Sequence, residues 1–157
     1  MTIEKKQSIT QFGLTNLQEE LDHLKSVKRK EVIARIKASR CFGLIENSDY
    51  ETAREDQAFV ESRIIAIETI IRNAEIIDTS KLDSQIVQIG STVTIKEMPD
   101  GELETYTVVG SAEANPLGGS ISSNSPIAQK VLDKRVGDQV EVTIPSGKIT
   151  IQIKSIV

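Results

Sequence analysis

The chain has 157 residues, 38% of them hydrophobic, enough for one sizeable domain or two small ones. A single cysteine excludes a disulfide framework and a cysteine-built zinc site, and a single histidine argues against a histidine-rich metal centre or a histidine-based triad. Nineteen basic against 23 acidic residues give a net charge of −4, and only 3% of the residues are aromatic. Neither bulk attraction to nucleic acid nor ring stacking on single strands fits that composition.

The opening MTIEKKQSIT is charged and has no apolar signal core, and no run of 18 or more apolar residues follows. A soluble cytoplasmic protein with no membrane partner is expected. Breakers are unevenly spread. Between Gly13 and Gly90 the only glycine is Gly43, so two breaker-free stretches, 14–42 and 44–89, flank one break. Leu14, Leu17, Leu21 and Leu24 are spaced three, four, three; Val32 or Ile33 and Ile36 resume the stripe after a phase slip around Lys28–Lys30. Lys28, Arg29 and Lys30 themselves read as a solvated helix face. In the second stretch Ala53, Gln57, Val60, Ile64, Ile67, Ile71 and Ala74 alternate four and three. Residues 1–78 are therefore expected to form an antiparallel coiled-coil hairpin with its tip near 43–47 and helices of roughly 40–45 Å. A globular helical bundle is the alternative.

Residues 79–83 read as a linker, and 84–157 as a second domain rich in β-branched residues and holding all four prolines. Strands at about 91–98 and 103–109 flank the turn Pro99-Asp100-Gly101-Glu102, and strands at about 139–144 and 148–156 flank Pro145-Ser146-Gly147. Between the hairpins Ser125 and Pro126 are an N-cap and first helical residue for IAQKVLDKR. The fold class is α+β: a long helical hairpin followed by a small β-sheet domain with one short helix. Nucleotide-binding glycine loops, G-x-S-x-G and H-E-x-x-H are absent, and the second domain reads as a docking module.

Ser39-Arg40-Cys41-Phe42-Gly43-Leu44-Ile45-Glu46-Asn47-Ser48-Asp49-Tyr50, followed by ETAREDQAF, resembles the tip of the Gre family of bacterial transcription elongation factors. FGLTNLQEELDHLK and ESRIIAIETIIRNAEIID resemble the family's two long helices. TYTVVGSAEANP and ISSNSPIAQKVLDKRVGD resemble its C-terminal signature, so the likeness covers nearly the whole chain. It implies a coiled coil followed by an FKBP-like domain that docks at the mouth of the RNA polymerase secondary channel. The inserted tip would then help the polymerase hydrolyse backtracked transcripts. No cofactor would be tightly bound; Mg²⁺ would be shared with the polymerase active site. The factor would be an accessory to the polymerase's own hydrolysis and would act as a monomer.

Residue by residue, the resemblance places Glu46 as the tip carboxylate that assists catalysis and ligates Mg²⁺ in the complex. Arg40 and Arg54 would face the transcript 3′ segment, and Asn115, Pro116, Ser125 and Pro126 would contact the polymerase. The tip departs from the family pattern: no Asp stands between Gly43 and Leu44, and Ile45 replaces a small serine. That departure leaves an alternative, a cleavage-impaired paralogue that occupies the channel and modulates or inhibits transcription. An unrelated coiled-coil adaptor with a β-domain and a prolyl isomerase are further alternatives. The isomerase is disfavoured because Tyr106 is the only aromatic residue of the C-terminal half.

Overall fold

The computed structural model describes residues 6–40 and 48–157. Contacts divide the chain into two compact units, one running from Leu14 to Asn73 and one joining the N-terminal segment up to Gly13 with Ala74–Val157.

The helical unit follows its apolar stripes. Helix α1 (Gln11–His23) passes through a single π-turn, Leu24–Lys28, into α2 (Arg29–Arg40), and α3 spans Ser48–Arg72. Leu17, Leu24, Val32 and Ile36 are buried, as are Ala53, Val60, Ile64 and Ile67 of α3. Carrying the three-four spacing beyond Leu24 would bring residues 31 and 35 inward, yet Val32 and Ile36 are buried. The stripe resumes one residue late, and the wider π-turn absorbs that extra residue. Arg35–Asp56, Arg29–Glu61 and Lys25–Glu68 pair in descending order along α3, which fixes the two arms as antiparallel. Arg29 is thus not simply part of a solvated face: its guanidinium forks onto Glu61, Nε at 2.7 Å and Nη2 at 2.9 Å.

The second arm is shorter than its breaker-free sequence suggests. With 25 residues α3 is about 37 Å long and stops at Arg72. Ala74, the last position of the apolar stripe, opens strand β2 (Ala74–Ile77), which pairs in parallel with β1 (Gln7–Thr10). The boundary expected at 78 therefore differs from the contact boundary at 73, because backbone pairing recruits both ends of the helical segment to the sheet unit. The stretch expected as a linker carries a 3₁₀ turn, Thr79–Lys81, capped by Asp78.

Five further strands, β3 (Thr92–Glu97), β4 (Leu103–Val109), β5 (Ser120–Ser122), β6 (Gln139–Ile144) and β7 (Gly147–Ile156), form one sheet in the order β5-β4-β3-β7-β6. Both expected hairpins are present within a residue of their expected bounds. On β3 Val93 and Ile95 point into the core while Thr92 and Thr94 pair across the strand with Thr107 and Thr105. The core (Val87, Val93, Ile95, Val108, Ala128, Val131, Val142, Ile151, Ile153, Ile156) is covered by α4 (Pro126–Val131).

Candidate functional site

Two places carry the residues singled out from the sequence, one in each unit. In the helical unit, Arg40 is the last residue of α2 and Tyr50 lies in the first turn of α3, so they flank the segment 41–47. Arg54 follows Tyr50 by four residues and therefore shares its helix face. Both guanidinium carbons stand 5.8 Å from the centre of the Tyr50 ring, and Arg54 Nη1 donates to the Tyr50 hydroxyl at 3.0 Å. Arg40 first, then Arg54, stabilise the phenolate and hold the Tyr50 hydroxyl below the usual tyrosine range. The result is an exposed pair of forked cations spaced by a ring, a geometry suited to phosphate oxygens. Arg40 and Arg54 are thus brought together, and Tyr50 is the member the sequence reading passed over. Its i, i+4 relation to Arg54 was the available signal.

Glu46, the candidate catalytic and metal-ligating residue, lies outside the described residues, as does the expected tip. Asp49 and Glu51 stand exposed in the first turn of α3. Among the described residues, no group of three or more His, Cys, Asp or Glu side chains is arranged to hold a metal ion.

In the sheet unit the polymerase-contact candidates lie at the two ends of β5, the edge strand. At one end Asn115 caps a 3₁₀ turn, Pro116–Gly118, its side-chain oxygen accepting from Gly118 N at 3.3 Å. Ser120 Oγ accepts from Asn115 N at 2.9 Å and closes the turn onto the strand. An aspartate at this position would cap in the same way and would add a charge. Leu117 at its apex is fully exposed. At the other end Ser125 Oγ accepts from Ala128 N at 3.2 Å and Pro126 takes the first position of α4, as the sequence predicts. A polar recess of about 240 Å³ lies nearby, lined by Lys6, Ser8, Gly110, Ser111, Ser123 and Asn124 among others.

A third cluster in this unit escaped the sequence reading. The Glu113 carboxylate accepts from Thr10 N at 2.7 Å and from Thr10 Oγ1 at 2.6 Å, and Thr10 Oγ1 accepts from Gly13 N at 3.1 Å.

Comparison with known proteins agrees with both halves. Residues 7–76 match the model for the N-terminal domain of a transcription elongation factor, and residues 82–157 the model for the C-terminal domain of transcription elongation factor GreA/GreB. The chain is 53% identical to transcription elongation factor GreA of Bacillus licheniformis and 52% identical to that of Geobacillus kaustophilus, over 99% of each chain. Among solved structures, GreA factor homolog 1 of Thermus thermophilus aligns with a TM-score of 0.46 at 26% identity, covering 98% of this chain and 99% of that one. With both domain models matched in order, and full-length relatives at about half identity, the chain belongs to the GreA/GreB family of transcription elongation factors.

Proposed function

We propose that this elongation factor docks on bacterial RNA polymerase through its sheet unit and enters the secondary channel with its helical hairpin. There it stimulates the polymerase's own hydrolysis of backtracked transcripts and so rescues arrested complexes. The observation that carries the reading is the Arg40–Tyr50–Arg54 cluster flanking residues 41–47. In a chain with net charge −4, two exposed guanidiniums on one half-buried ring give a local cationic grip for the transcript 3′ segment. Glu46, within the flanked segment, supplies a carboxylate in trans to Mg²⁺ shared with the polymerase; that ion, when bound, bears charge on the attacking and leaving oxygens. The factor acts as a cytoplasmic monomer, holds no cofactor tightly, and is an accessory rather than an enzyme. Asn115, Pro116, Ser125 and Pro126, at the two ends of β5, supply the docking contacts.

A transcript-cleavage assay on stalled complexes of the host polymerase tests this. The wild-type chain is expected to accelerate cleavage, and Glu46→Ala to remove most of the acceleration. Saturating wild-type factor that leaves the cleavage rate unchanged while competing for the channel would replace this reading with the cleavage-impaired alternative.

A further inference from the structure

In an ordinary capping box the N-cap threonine accepts from the third helical N–H while a glutamate at that third position reaches back to the N-cap N–H. Thr10 performs the first half at the start of α1, accepting from Gly13 N at 3.1 Å. The third position, however, is glycine, which has no side chain to return. The missing carboxylate comes from Glu113, which takes the Thr10 N–H at 2.7 Å and the Thr10 hydroxyl at 2.6 Å from 103 residues away. Gly13 is what admits it: a Cβ at that position would stand 2.5 Å from Glu113 Oε2. Gly110 shows the same close fit, since a Cβ there would run into the Ser8 carbonyl. Two glycines thus clear the space in which β1 and the first turn of α1 meet the loop after β4. That loop is short. Glu113 N donates to Gly110 O at 3.1 Å, and Asn115 begins the capped turn two residues later.

We infer that Glu113 is a positioning residue: it completes the capping box of α1 in trans and ties the root of the helical arm to the loop that docks on the polymerase. The inference rests on the proposed function for its consequence and on local geometry for its existence. A docking contact at Asn115 and Pro116 is transmitted to Thr10 through one carboxylate, so the start of α1 is held to the docking loop. With that tie cut, the factor still docks, but the first turn of α1 loses its hold on the docking loop. Misplacement by about an ångström is enough to slow a positioned reaction severely.

The experiment uses the full-length chain with Glu113→Ala, Thr10→Val and the double variant Gly13→Glu/Glu113→Ala, which restores an ordinary capping box in cis without the tie. Amide hydrogen exchange reads the tie directly. Thr10→Val is expected to speed exchange across residues 114–120 about fivefold, the size of a lost cap, although that loop is distant in sequence. Unchanged exchange there overturns the inference. In cleavage assays at saturating factor, Glu113→Ala is expected to lower the maximal rate on the order of tenfold with polymerase affinity held within about twofold. The double variant is expected to recover thermal stability but not the maximal rate. Recovery of both would reduce Glu113 to a cap and overturn the inference. Failure of the wild-type chain to stimulate cleavage strikes the proposed function instead, and the exchange arm still decides the role of Glu113.

Discussion

Tyr50 and Tyr106 are the only tyrosines in a chain without tryptophan, so each phenolate can be followed separately by ultraviolet absorbance. Their surroundings push in opposite directions. Arg40 and Arg54 favour the Tyr50 phenolate, whereas the Tyr106 hydroxyl donates to Glu104 at 2.8 Å, and that bond together with burial raises its pKa. An alkaline titration is expected to show two steps, one below and one above the ordinary value of 10.0. Tyr50→Phe should delete the lower one, and Arg54→Ala should move it upward. The same Arg54→Ala change should weaken crosslinking of the factor to the transcript 3′ segment and flatten its salt dependence, since one phosphate contact is lost. How far single residues were legible depended on the distance to their partners. Ser125 and Pro126 cap a helix that begins at the next residue, so their structural role could be read directly. Arg40 and Tyr50 meet only when the hairpin closes, and Glu113 is one of 23 acidic residues with nothing local to distinguish it.

At the scale of elements, the π-turn explains a feature that was visible in the sequence only as a slip in phase. Removing one residue inside it, such as Ser26, is expected to leave Leu17, Leu24, Val32 and Ile36 on one continuous stripe and to change the melting temperature little. Removing Ala34 instead rotates the residues on one side by about 100° relative to those on the other and pulls buried side chains from the seam. A loss of roughly 3 kcal/mol is expected there, measured by thermal or denaturant unfolding. If both deletions cost the same, the π-turn is not what holds the phase. The ion pairs of the hairpin set a pH limit. Arg63 lowers the pKa of Glu20, and Arg29 that of Glu61, through bidentate bonds. Groups with depressed folded values contribute stability above their unfolded value of 4.5 and lose it as pH falls through the folded values. Helix content should therefore melt at lower temperature as acid is added below about pH 4.5, and Glu61→Gln should make that decline shallower. Strands β1 and β2 were illegible for a different reason. Four residues each are too few for a period to show, and their partners are parallel and far apart in sequence.

For the whole molecule, the main core cluster of the sheet unit lies between Val87 and Ile156, and among its fully buried apolar residues Ile9 of β1 stands outside that span. A fragment of residues 84–157 is expected to fold and bind polymerase, whereas residues 14–73 alone should not dock. The fragment lacks β1 and β2, which leaves Gly110 and Glu113 facing water where Ser8 and Thr10 belong. A chain joining residues 6–13 to 74–157 by a short linker should therefore melt at a higher temperature than the 84–157 fragment. Equal melting temperatures would show that the N-terminal strand adds nothing to this unit.

The parallel pairing of β1 with β2 has a consequence for the order of folding. Gln7 lies beside Ala74 and Thr10 beside Ile77, so the whole helical segment is a loop closed by four residue pairs. Closing a disordered loop of that length costs on the order of 4 kcal/mol, more than so short a ladder is able to return. Helix formation removes most of that cost by folding the chain back on itself before the strands meet. The hairpin should consequently form early, with β1 zipping onto β2 as a late event. In kinetic unfolding the amides of this ladder should open before those of β3 and β7.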